Sequence, residues 1–132
     1  HLLPAIIHKV HMACKTSAAT VEIWGDGLAR REFMYAADLA DAVFRAAGDL
    51  ENLPDLMNVG VGHDHTINAY YETVARVVGW HGEFTHDLSN PVGTARKLWD
   101  TSRQTTWGWQ PQTSLEDGIA KTYQLYKETI AA

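Results

Sequence analysis

The sequence predicts an α/β protein. Segments with apolar residues at helical spacing alternate with short stretches of alternating polarity, Gly and Asn punctuate them, and hydrophobic residues make up 45% of the chain. At 132 residues this is about one ordinary domain, and no repeat, low-complexity tract or linker divides it.

The elements follow in order. Pro4 suits a first helical turn, and Ile6, Ile7, Val10 and Cys14 recur at helical spacing as far as the polar break "KTSAAT", which predicts a first helix. "TVEIW" alternates like a short strand, and "GDG" ends it with residues that tolerate positive φ. "REFMY" reads as another extended stretch. From Asp38, the positions Leu39, Ala42, Val43 and Ala46 make one apolar helical face that stops near Gly48. "LMNVGVG" reads as a brief strand, and "TINAYYETVARVVG" as a helix with Thr66 as N-cap and Gly79 as C-cap. "GEFTHD" reads as a strand, "LSNPVGTA" as a loop and "RKLWD" as extended, before a short helix from about Ser102. The last helix opens at Ser114, three residues before Asp117, and carries Leu115, Ile119, Tyr123, Tyr126 and Ile130 on one face.

Charge and cysteine usage narrow the function classes. Eleven Lys and Arg against sixteen Asp and Glu give a net charge of -5, which supplies no long-range attraction to nucleic acid or to an anionic membrane. Any phosphate binding is therefore local. The single cysteine, Cys14, forms no internal disulfide and is expected to be a small buried hydrophobe. No apolar run approaches the roughly 20 residues of a membrane span and no signal peptide is recognisable, so a cytoplasmic setting is expected. The chain starts inside an apolar-periodic segment without Met, as expected of a fragment.

Two stretches carry candidate chemistry. In "WGDGLARREF", Gly25 and Gly27 allow a sharp turn, Arg30 or Arg31 offers a planar fork of donors that matches a phosphate, and Trp24 offers a flat face for a base or sugar. The alternative is a β-turn with solvated arginines. In "NPVGTARKLWD", Arg96 and Lys97 alternate in direction along an extended stretch, so one faces a ligand while the other faces water; the alternative is an edge strand protected by charge. Seven histidines include His8 with His11 and the "HDH" run at 63–65, but without a thiolate pair or HExxH pattern no metal site is expected. His1 has acid/base chemistry available near neutral pH, although chain termini are by default without a role. Neither GxGxxG nor a P-loop is present.

The order of "HLLPAI", "WGDGLARREFMYAADLADAV", "MNVGVG", "NPVGTARKLWD", "TWGWQP" and "SLEDGIAKTYQLYKE" resembles the C-terminal part of the GDP-L-fucose synthases, a branch of the extended short-chain dehydrogenases/reductases, from His1 to about Glu128. The glycine turn with Arg, acid and Phe is similar to many nucleotide-sugar epimerases and dehydratases. "GTARKLWD" and "HLLPAI" resemble the narrower fucose synthase motifs, with Val92 in place of Asp, Ala95 in place of Pro, and Lys9 where an Arg is familiar.

The resemblance implies that residues 1–132 form the nucleotide-sugar-binding portion, with one strand and helix that would complete a Rossmann domain carried by the N-terminal half. It implies an acid/base role for His1 and substrate-binding roles for Lys9, Trp24, Arg31 and Lys97. It further implies NADP bound by the N-terminal half, a homodimer in the full-length protein, and conversion of GDP-4-keto-6-deoxy-D-mannose to GDP-L-fucose. The chain by itself is then expected to be inactive, with apolar surface exposed on the Asp38 helix and the "MNVG" segment.

Overall fold

The computed structural model describes residues 1–131. The elements are α1 (Leu2–Lys15), β1 (Thr20–Trp24), β2 (Arg30–Arg31), α2 (Ala36–Ala47), a 3-10 turn at Leu50–Asn52, β3 (His65–Thr66), α3 (Ile67–Val78), β4 (Glu83–Asp87), β5 (Arg96–Lys97), α4 (Ser102–Trp107) and α5 (Leu115–Ala131). They form two small sheets. β1 pairs with β4 in parallel, from Thr20 opposite Glu83 to Trp24 opposite Asp87. β2 lies in the centre of the other sheet, antiparallel to β3 and parallel to β5.

One apolar cluster holds α1, β1, α3 and α5 together. α1 contributes Ile6, Ile7, Val10 and Ala13, β1 contributes Val21 and Ile23 at alternate positions, α3 contributes Tyr70, Tyr71 and Val74, and α5 contributes Ile119. Each fully buried aliphatic side chain of this set contributes about 1.5–3 kcal/mol relative to exposure. Trp80 closes the cluster beyond α3 and donates its indole N–H to the Ala18 carbonyl at 2.9 Å, so the ring is buried without an orphaned donor. The helix ends follow the sequence expectation. The Thr66 hydroxyl accepts the Ala69 N–H at 3.1 Å, and Gly79 closes α3 with φ of 80°. At α5, Ser114 Oγ accepts the Asp117 N–H at 3.1 Å and donates to Asp117 Oδ2 at 2.6 Å, a variant of the expected box.

Several expectations are corrected. Cys14 is exposed, because the buried stripe of α1 runs through Ala13 and leaves Cys14 on its flank. "REFMY" contributes only Arg31 to a ladder, the strand being Arg30–Arg31, and "RKLWD" contributes only Arg96–Lys97. "LMNVGVG" forms no strand. Its Gly60 peptide is instead paired by the buried Gln104 side chain, which accepts the Gly60 N–H at 2.8 Å and donates to the Gly60 carbonyl at 3.0 Å. An amide side chain here replaces the neighbouring strand that the segment lacks within this chain.

α2 is amphipathic with its polar side turned inward. Asp38 accepts the Thr113 N–H and hydroxyl at 3.0 and 2.9 Å, and Asp41 accepts the Trp109 indole N–H at 2.8 Å. Arg45 donates to the Gly108 carbonyl at 3.1 Å with its guanidinium 4.8 Å from the Trp107 ring centre. Leu39, Val43 and Phe44 face outward, Phe44 with 83% of its surface exposed, as expected for this helix.

Candidate nucleotide-sugar site

The candidate site is built on the β3-β2-β5 sheet. Arg30 stands opposite Thr66 and Arg96, and Arg31 opposite His65 and Lys97. Side chains alternate along strands, so Arg30 and Arg96 share one face while Arg31 and Lys97 share the other. Arg30 and Arg96 meet at Asp64, whose side chain is only 2% exposed. Arg30 Nε donates to Asp64 Oδ1 at 2.8 Å, Arg30 Nη2 to the Asp64 carbonyl at 2.8 Å, and Arg96 Nε to Asp64 Oδ2. The hydrogen bond from Arg96, opposed by burial and reinforced by Arg30, holds the Asp64 carboxyl below the usual carboxylate range. Of the two arginines in the glycine-turn stretch, Arg30 is thus committed to an internal ion pair.

Arg31 lies beside the 88–95 loop. Its Nη1 donates to the Arg30 and Thr94 carbonyls, both at 2.7 Å, and Tyr70 from the core donates its phenolic O–H to the Arg31 carbonyl at 2.8 Å. Burial pushes the Tyr70 phenol up to about 12, so it serves as a neutral donor at any ordinary pH. Gly25, with φ of 72°, donates its N–H to the Asp87 carbonyl at 2.8 Å, and a Cβ there would lie 3.2 Å from Val92 Cγ2. The loop therefore rests on the turn that ends β1. This brings Trp24, which is 69% exposed at the end of β1, to the same loop that Arg31 holds, next to the strand carrying Lys97.

Lys9 reaches β1 from α1, its ammonium donating to the Glu22 carbonyl two residues before Trp24. His1, at the N-cap of α1, is not gathered with these groups: the helix rise of 1.5 Å per residue separates it from Lys9 by about 12 Å. Its neighbour Leu3 lines a cleft of about 1000 Å³ bounded by Phe33, Tyr35, Thr113 and Lys121, whose ammonium lies 5.2 Å from the Tyr35 ring centre.

Two other groups shape the site without having been singled out in the sequence. The Glu32 carboxylate accepts three backbone N–H groups, from Val61, from Gly62 at 2.8 Å and from Trp99 at 3.0 Å, and so ties the segments after α2 and β5 to β2. Asp64 lies within the "HDH" run, whose histidines carry no metal signature of their own. Among the described residues no three His, Cys, Asp or Glu side chains converge as a metal would require. His65 is held below its usual pKa by burial and by the nearby His63 and Arg30 charges.

Tyr123 and Lys127 have the Tyr-x-x-x-Lys spacing of nicotinamide reductases. Burial raises the Tyr123 phenol, the opposite of what a proton-relay tyrosine needs, and its oxygen lies 3.0 Å from His11 Nδ1. The Gly25–Gly27 turn does not fit a dinucleotide either. It runs from β1 into β2 without opening a helix, and Asn68 Oδ1 fills the space beside Gly27.

Comparison with known proteins agrees with this architecture. The model of the NAD dependent epimerase/dehydratase family matches residues 1–60. The chain is 53% identical over 126 residues to a GDP-L-fucose synthase of Azorhizobium caulinodans, covering 96% of this chain and 40% of that protein. It is 47% identical to a GDP-L-colitose synthase of Yersinia pseudotuberculosis, covering 96% and 41%. A GDP-mannoheptose C4 reductase from Campylobacter jejuni, solved with NADP bound, superposes with a TM-score of 0.84 at 30% identity, covering 96% of this chain and 45% of that one. The chain thus spans about 40% of the length of the curated relatives it matches. With the fold and these identities together, the chain is similar to the C-terminal part of the GDP-L-fucose synthases, and its first 60 residues match the NAD dependent epimerase/dehydratase family.

Proposed function

We propose that this chain supplies the GDP-sugar-binding portion of an enzyme that converts GDP-4-keto-6-deoxy-D-mannose to GDP-L-fucose. The observation that carries the reading is the pairing of Arg31 with Lys97 on one face of a three-stranded sheet, beside the exposed Trp24. Two cations on adjacent strands suit a diphosphate, the guanidinium as a planar fork and the ammonium as a point charge. Trp24 provides the flat face for the base. Lys9 adds a third cation along α1. His1 stands at the N-terminal end of that helix, two residues before Leu3 of the cleft lining, and in this reading is the acid/base group for carbons made acidic by the neighbouring 4-keto group. Binding energy collected at the diphosphate positions the sugar for that proton transfer.

The reductant in this reading is NADPH held by an N-terminal half of the protein, and the exposed apolar face of α2, with Leu39, Val43 and Phe44, is where that half packs. The assembled protein is expected to be a homodimer acting in the cytoplasm. Among the described residues no helix is long and apolar enough to cross a membrane.

The test is calorimetric titration of GDP and of UDP into the complete protein that carries this chain, with Arg31→Ala as control, followed by NADPH consumption with GDP-4-keto-6-deoxy-D-mannose. GDP-selective binding lost in the variant, with turnover, supports the reading. Equal binding of GDP and UDP points to another nucleotide-sugar epimerase or dehydratase. GDP binding without turnover of this substrate leaves the colitose-type relatives as the better guide.

A further inference from the structure

We infer that Asp64 is a positioning residue for the Arg31 and Lys97 pair, acting from the opposite face of the sheet; the inference rests on the diphosphate reading of that pair. Strand β5 is two residues long and sits at the edge of its sheet, so its own ladder is too short to fix where Lys97 stands. Its attachments to β2 are the Arg30 N–H to the Ala95 carbonyl at 2.7 Å, the Glu32 carboxylate on the Trp99 N–H at 3.0 Å, the Arg31 contact to Thr94, and Arg96 through Asp64.

Among the described residues, the Asp64 carboxylate ties the arginine side chains of β2 and β5 to the segment that enters β3. Asp64 precedes β3 in the chain, receives Arg30 of β2 on both its carboxylate and its carbonyl, and receives Arg96 of β5 on its second oxygen. A carboxylate whose side chain is 2% exposed is costly to bury unless its charge is met, and here two guanidiniums meet it. Removing that charge leaves Arg30 and Arg96, register partners, as two like charges on adjacent strands with no counter-ion between them. The strand that is free to move away is β5, and Lys97 goes with it. The residues on the ligand side then keep their chemistry and lose their spacing, which is what a bidentate anion reads.

The experiment is a double-mutant cycle on GDP affinity in the complete protein, using Asp64→Asn, Lys97→Ala and the pair, with near-ultraviolet circular dichroism to establish that each variant is folded. In the unmodified background Lys97→Ala is expected to weaken GDP about tenfold. Asp64→Asn is expected to weaken it about as much while retaining the folded spectrum, and in that background Lys97→Ala is expected to cost less than about twofold. Should Asp64→Asn fail to fold, Arg96→Gln carries the same cycle, since it releases β5 and leaves the Arg30–Asp64 pair in place, and Arg96→Lys is expected to restore part of the loss.

A Lys97→Ala cost that is the same in both backgrounds overturns the inference, because Asp64 then stabilises the fold without setting the pair. Unchanged affinity in Asp64→Asn overturns it as well. No GDP binding by the unmodified protein overturns the diphosphate reading itself and takes this inference with it. Full affinity of the unmodified protein together with additive variants removes the inference alone.

Discussion

The half of the molecule made of α1, β1, α3 and α5 closes on its own apolar cluster, while the layer made of α2, the 48–62 segment and α4 is attached through polar ties and turns its aliphatic and aromatic side chains outward. In the first half, Ile6, Val10, Ile23 and Val74 are buried to within about a per cent or less, and burial supplies the stability. In the second, Asp38, Asp41 and Arg45 hold residues 107–113 by hydrogen bonds, and Leu39, Val43 and Phe44 stay 44%, 60% and 83% exposed. Both helices, α1 and α2, are amphipathic, and only α1 has its apolar face covered. An amphipathic pattern states that a face seeks cover without stating which surface supplies it.

The sharpest way to break this comparison is a matched pair of truncations. Ile6→Ala is expected to cost about 2–5 kcal/mol in urea unfolding, through lost transfer energy and a cavity. Phe44→Ala in the same assay on this chain is expected to stay within about 0.5 kcal/mol, as for an exposed position. Equal costs would mean that α2 is covered after all.

Next in size is the polar attachment. Asp38→Ala leaves the Thr113 N–H and hydroxyl without their acceptor, and an expected loss of about 1–3 kcal/mol falls on α2. Hydrogen exchange should report it as faster α2 amides with α1 amides unchanged; uniform acceleration would show the two regions unfolding as one unit.

A smaller effect follows from pH. Burial and the Lys15, His8 and Lys127 charges hold the His11 imidazole below its ordinary value of 6.5, and burial with the His63 and Arg30 charges does the same for His65. The folded state therefore favours the neutral rings. Stability from this source is complete above the unfolded value of 6.5 and is lost as pH falls from there through the lowered folded values. Melting temperature should decline across that window, and His11→Gln should remove the part belonging to the α1 and α5 side while leaving the His65 part. A decline unchanged by that substitution would place the effect wholly on the β3 side.

The smallest change in stability is expected from Phe44→Ser, which should leave the unfolding midpoint where it was while reducing binding of an apolar dye to the isolated chain. Dye binding that persists undiminished would put the exposed apolar surface elsewhere than α2.

Much of the secondary structure was legible because it depends on local chemistry. The Thr66 and Gly79 caps, the positive φ of Gly25 and Gly27, the alternation in Thr20–Trp24 and the stripe through Ile6 and Val10 are fixed by neighbours within a few residues. The misreadings have a common cause. Cys14 and Ala13 are equally small and lie side by side, so only the direction of the packed face decides which is buried. "LMNVGVG" has strand composition, but a ladder requires a second strand, and here the Gln104 amide takes its place from 44 residues away.

The candidate site divides the same way. Arg30 and Arg31 are indistinguishable as neighbours in sequence, as are Arg96 and Lys97. By itself the sequence determined which residue types are available, where the chain turns, which faces are apolar, and, through the order of its motifs, the family that it resembles. Only the tertiary structure decided that Asp64 takes Arg30 and Arg96 while Arg31 and Lys97 stand together on the other face. The physical reason is that strand alternation fixes relative sides, whereas which side meets a buried carboxylate depends on a segment more than 30 residues distant, brought in by packing that no local pattern records.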